Sequence, residues 1–60
     1  MFSVVNQYGK YLDGKVRDMI IDAYRKDKTF LFIDGYRVDI IGSVSDEKGN
    51  VLIKVCYEEN

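Results

Sequence analysis

Gly9, Gly14 and Lys15 stand at the spacing G-x-x-x-x-G-K, within Gly9-Lys10-Tyr11-Leu12-Asp13-Gly14-Lys15. In a phosphate-binding loop that spacing lets backbone N–H groups and a helix N-terminus cradle an anion, with the lysine as counter-charge. The segment also falls between a β-prone run and a helical pattern, the context such a loop requires. Three features argue instead for a glycine-rich loop entering a capped helix. Val16 follows Lys15, where Ser or Thr would hold magnesium. No later strand ends in a second magnesium carboxylate. A chain of 60 residues is too short for the parallel sheet of such enzymes.

Nucleophilic chemistry has little material. There is no histidine, the commonest general base. Cys56 needs a nearby cation to become reactive, and Lys54 and Arg37 are the candidates. A cysteine in a strand is more often a small buried hydrophobe. Asp18 and Asp22, Asp46 and Glu47, and Glu58 and Glu59 are paired carboxylates, but none has the spacing of a metal loop. One thiol without histidine does not make a zinc site. The chain is therefore expected to be no enzyme and to carry no cofactor or metal.

Phe30 and Phe32, flanked by Arg37 and Lys54, have the makings of a stacking platform. Sheet aromatics beside cations bind single-stranded nucleic acid in several folds. Asp39, Glu58 and a net charge of −1 weigh against that use, since nucleic-acid binders usually carry a basic excess. The same side chains serve equally as a protein interface, or as core under the N-terminal run Phe2–Val5. The five tyrosines suit interfaces too, each bringing large area and a polar tip.

The elements that position these residues follow from periodicity. Val16, Met19, Ile20, Ala23 and Tyr24 recur at helical spacing and predict a helix over Lys15–Asp27. Asp13 is its expected N-cap, with the carboxylate accepting from free backbone N–H groups. Phe2–Asn6 is a short β-prone run, and Gln7–Gly14 reads as a loop from which Tyr8, Tyr11 and Leu12 reach the core. Thr29–Tyr57 reads as a three-strand antiparallel meander. Asp34-Gly35 marks its first turn, because a type I′ turn needs positive φ at both positions. Ile33 then faces Tyr36, Leu31 faces Val38 and Thr29 faces Ile40.

Side-chain period decides the second turn, since a one-residue slip exchanges the faces of a strand. A loop of Glu47-Lys48-Gly49 would place Leu52, Lys54, Cys56 and Glu58 beside Val38 and Ile40, burying charge. An even loop, such as Lys48-Gly49, places Val51, Ile53, Val55 and Tyr57 there and is preferred. One face is then Leu31, Ile33, Tyr36, Val38, Ile40, Val44, Val51, Ile53, Val55 and Tyr57, covered by the helix. The other is Phe30, Phe32, Arg37, Asp39, Ile41, Ser43, Leu52, Lys54, Cys56 and Glu58.

The expected fold is a single α+β domain over residues 1–60. It has one helix on a three- to four-stranded, mostly antiparallel sheet, in the order β-α-β-β-β or α-β-β-β. At 47% apolar and 32% charged, the composition is that of a globular chain. A chain this short has little net stability from its core alone, so association with a second chain is favoured. No apolar run approaches the ~20 residues of a membrane span. The N-terminus lacks a basic leader, and a lone cysteine suits a reducing interior, so a cytoplasmic protein is expected.

The expected function is a small protein-interaction module: a regulator, inhibitor or adaptor of the kind phages and mobile elements carry. It is expected to be homodimeric and to bind through Phe30, Phe32, Ile41, Leu52, Arg37 and Lys54, or through an exposed edge strand. The alternative is a nucleic-acid-binding domain using Phe30 and Phe32 with Arg37 and Lys54.

Overall fold

A computed structural model describes residues 1–57. Glu58 and Glu59, placed by sequence on the second face and in a carboxylate pair, lie outside the described residues. The order is β1 (Phe2–Val5), β2 (Tyr11–Leu12), α1 (Gly14–Arg25), β3 (Phe30–Ile33), β4 (Tyr36–Ser45) and β5 (Val51–Tyr57). The α+β class holds. The sheet, however, has five strands in the order β2-β1-β5-β4-β3, with β1 parallel to β5. The expected three- to four-stranded, mostly antiparallel sheet is too small, and neither expected element order is right. Two short N-terminal runs account for the difference. Phe2–Val5 adds to β5 in parallel, pairing Val4 with Ile53, and Tyr11–Leu12 folds back on β1 as a hairpin.

Val4, Ile20, Ala23, Ile33, Val38, Ile53 and Val55 form the buried core between α1 and one sheet face. Burying each large aliphatic side chain contributes about 1.5–3 kcal/mol. Helix α1 packs against β1 and β3, spanning the sheet. Ile20 and Ala23 are its buried residues, with Val16, Ile21 and Tyr24 partly buried around them. Met19, expected in the core stripe, is 37% exposed and lines a groove beside β3. Asp13 holds the N-cap position but makes no side-chain capping bond, contrary to expectation. At the other end Asp27 adopts φ 59°. There Asp27 N–H donates to Tyr24 O (3.1 Å) and Lys28 N–H to Ala23 O (3.0 Å), a Schellman closure that turns the chain into β3. Leu12 packs on the core, but Tyr8 and Tyr11 are 83% and 66% exposed and do not.

The first meander turn is as the sequence predicts. Asp34 and Gly35 have φ of 52° and 83°, and Ile33 pairs with Tyr36. The second is not. The loop is Glu47-Lys48-Gly49, closed by Asp46 N–H donating to Asn50 O at 3.0 Å, and the even loop is wrong. Its parity is nevertheless restored, because β4 carries a β-bulge. Gly42 pairs with Lys54 and Ile40 with Val55, so Ile41 is an extra residue with no partner of its own. Val38 and Ile40 therefore still face the helix with Val55 and Tyr57. Beyond the bulge the faces of β4 exchange. Ser43 turns to the helix side of the sheet, still exposed, where its hydroxyl lies 2.9 Å from the Tyr24 hydroxyl, and Val44 turns to the other side at 55% exposed. The expected assignments of Val44 to the core face and Ser43 to the open face are thus reversed.

The two loops outside the type I′ turn are built alike. The Asn6 side-chain oxygen accepts from the N–H groups of Tyr8 (2.9 Å) and Lys10 (3.0 Å). The Asp46 carboxylate accepts from those of Lys48 and Asn50, both at 2.9 Å. Each loop places a glycine three residues on at positive φ, Gly9 at 81° and Gly49 at 86°, where a Cβ would be strained. The signature is N-Q-Y-G-K in one loop and D-E-K-G-N in the other.

Deleting Ile41 should leave a cooperatively folding protein, within about 2 kcal/mol of the parent by urea denaturation. Ile40 and Gly42 already pair with consecutive residues of β5, so the ladder closes without exchanging any face. Were Ile41 a regular ladder residue, its loss would turn charged side chains inward and abolish the transition.

Asp46 titrates below the usual carboxylate range, chiefly through the Asn50 side-chain amide and then the Asn50 backbone N–H. A depressed folded value means the stabilisation is present above the unfolded value, about 4, and is lost as pH falls through the folded one. Asp46→Asn should keep the loop, as Asn6 does in its own, and be slightly less stable at pH 7. Its loss of thermal stability below pH about 4 should be smaller than the parent's. An identical acid profile would remove Asp46 as a source of that loss.

Candidate interaction surface: the open sheet face and its edge

The helix covers one sheet face, and no described residue covers the other. The N-terminal run does not lie over it. It joins the sheet, with Phe2 facing the helix in edge-to-face contact with Tyr24 (centroids 6.0 Å) and under the Arg25 guanidinium (4.8 Å).

Register places the open face in rows. Phe30 stands beside Asp39 and then Cys56, while Phe32 stands beside Arg37. Further along, Val44, Leu52 and Ser3 form one row, and Gly42, Lys54, Val5 and Tyr11 another. The sequence-derived residues therefore separate into two groups. Phe30, Phe32 and Arg37 come together at one corner. Leu52 lies in the other apolar group, with Val44, and Lys54 lies between. Ile41, as the bulged residue, stands outside the alternation and is 63% exposed.

At the corner, Phe30 and Phe32 make an edge-to-face pair with centroids 5.9 Å apart. They are 39% and 59% exposed. The Arg37 guanidinium sits over the Phe30 ring at 4.1 Å, and Arg37 Nε donates to Asp39 Oδ1 at 2.9 Å. The corner is thus a preformed apolar surface whose cation is already occupied twice within the chain. That weakens it as a base-stacking platform, since Arg37 would have to leave Asp39 to meet a phosphate.

The same strand forms the rim of the sheet. A groove of about 670 Å³ runs between it and the helix, lined by Met19, Asp22, Ala23, Leu31 and Phe32 among others. Sequence periodicity missed this groove, because Met19 looked like core. The signal for it was the brevity of β3, four residues against ten in β4.

The remaining chemical candidates are not assembled. The loop around Gly9 spends its N–H groups internally: Tyr8 and Lys10 donate to the Asn6 side chain, and Gly9 donates to Asn6 O at 3.1 Å. These three groups are therefore not free to cradle an anion. Cys56 is half-buried, and its cross-strand neighbour is Asp39, not the cation a nucleophilic cysteine works beside. Among the described residues no group of three or more His, Cys, Asp or Glu side chains is placed to hold a metal ion. No described helix is long and apolar enough to cross a membrane.

No protein family model matches the chain, and no curated protein or solved structure is significantly similar to it.

Proposed function

We propose that this chain is a small, non-catalytic protein-interaction module that associates first with itself. A role as regulator, inhibitor or adaptor in the cytoplasm, where a lone thiol stays reduced, follows from that reading. The observation that carries it is the Phe30–Phe32 pair. Two large rings meet edge to face on the sheet face away from the helix, Phe32 more exposed than Phe30, which Arg37 partly covers. Aromatic side chains presented this way bring large contact area for little lost conformational freedom, which is why they dominate interface energetics. A single-strand-binding use of the same rings has less support, because Arg37 is tied to Asp39 and the chain has no basic excess.

Sedimentation of the parent and of Phe32→Asp tests the reading. The parent is expected to be dimeric at micromolar concentration. Phe32→Asp should weaken association roughly tenfold or more, since a carboxylate would have to be desolvated at the contact. Its helical circular dichroism should not change, because Phe32 lies outside the core. A parent that stays monomeric at millimolar concentration contradicts self-association.

A further inference from the structure

The geometry points to the outer edge of β3 as the dimer contact. In this arrangement β3 pairs antiparallel with the β3 of a second copy about a two-fold axis at Leu31. This inference rests on the self-association proposed above and names its surface and register.

The backbone decides which residues are available. Ile40 N–H donates to Thr29 O at 2.9 Å, and the pairing continues through Leu31–Val38 and Ile33–Tyr36. In an antiparallel ladder, alternate residues turn both backbone groups to the same side. Thr29, Leu31 and Ile33 therefore spend theirs on β4. Phe30 and Phe32 turn theirs to the open side, where β3 ends the sheet. Exposed edges usually carry a lysine, a proline or a bulge that discourages pairing. Phe-Leu-Phe-Ile has none of these.

Charge then selects the register. With the axis at Leu31, Phe30 stands opposite the second copy's Phe32, and each such pair exchanges two main-chain hydrogen bonds. Lys28 and Asp34 flank β3, in the turn after the helix and in the hairpin turn, and this register brings each near its opposite charge on the second copy, once at each end. Among the described residues neither Lys28 nor Asp34 makes an ion pair in its own chain. Moving the axis to Phe30 sets Lys28 against Phe32, and moving it to Phe32 sets Asp34 against Phe30. Of the two-fold registers the backbone permits around these rings, the one at Leu31 matches ring with ring and charge with opposite charge. It also brings the two Leu31 side chains together beside the grooves, and it joins two five-stranded sheets into one. A two-fold contact of this kind closes on itself and leaves neither copy of the β3 edge open.

Charge exchange tests the register. Lys28→Glu sets like charges opposite each other in its own dimer, and so does Asp34→Lys. Each alone should dimerise roughly tenfold more weakly or worse. Mixed together they restore both opposite-charge pairs, and sedimentation should show dimer returning in the mixture. Because lysine is strained at the φ of position 34, Asp34→Asn is the fold-preserving check, and it should weaken the dimer about two- to tenfold. Leu31→Cys in a Cys56→Ser background provides a positional test. Facing Cα atoms at a non-hydrogen-bonded pair lie about 4.5 Å apart, within disulfide range. Leu31→Cys should oxidise to a covalent dimer. Thr29→Cys, whose own copy would lie about 13 Å away, should not. A dimer indifferent to all these changes overturns this edge while leaving self-association standing, and a monomeric parent overturns both.

Discussion

In an antiparallel strand pair, one added residue exchanges the two faces of everything beyond it. The β4–β5 pair meets that constraint twice, at the loop Glu47-Lys48-Gly49 and at the bulged Ile41. The loop alone would carry Lys54 and Cys56 under the helix. The bulge moves the register by one and returns Val55 and Tyr57 there. The core needs this correction, since Val38, Ile53 and Val55 are fully buried and have no polar partner to offer a charge. The same correction creates the open face. It turns Val44 out beside Leu52 and Ser43 to the helix side to meet Tyr24.

Much of this was legible from residue types. The helix, the Asp34-Gly35 turn and the core identities of Ile33, Val38, Ile53 and Val55 follow from period and turn chemistry. Core parity was right although the loop was wrong, because burying Lys54 is excluded whatever the loop length. The bulge was not legible. Ile-Ile-Gly at positions 40–42 carries no polar residue to mark which isoleucine is extra. The β1–β2 hairpin was readable in principle. Asn6-Gln7-Tyr8-Gly9 repeats the Asp46-Glu47-Lys48-Gly49 pattern, an oxygen-bearing side chain with glycine three residues on. The parallel docking of β1 on β5 was not readable, since four residues, Phe2–Val5, have no period that specifies a partner strand.

The residues that sequence assigned to the candidate surface fall in separate places on the sheet. Phe30, Phe32 and Arg37 do meet. Leu52 belongs to a second apolar group, and Lys54 stands between the two. What pattern reading lacked was the hydrogen-bond direction along β3, which only the pairing with β4 defines. That direction turns the edge from a list of exposed side chains into a surface with defined donors and acceptors.

Amide hydrogen exchange followed residue by residue across protein concentration is the most direct test that this edge is a shared surface. Leu31 and Ile33 N–H groups face β4 and should be protected at every concentration. Those of Phe30 and Phe32 face outward and should exchange rapidly when dilute, then slow as concentration rises. Rapid exchange of Phe30 and Phe32 at all concentrations, with Leu31 and Ile33 protected, would contradict the account.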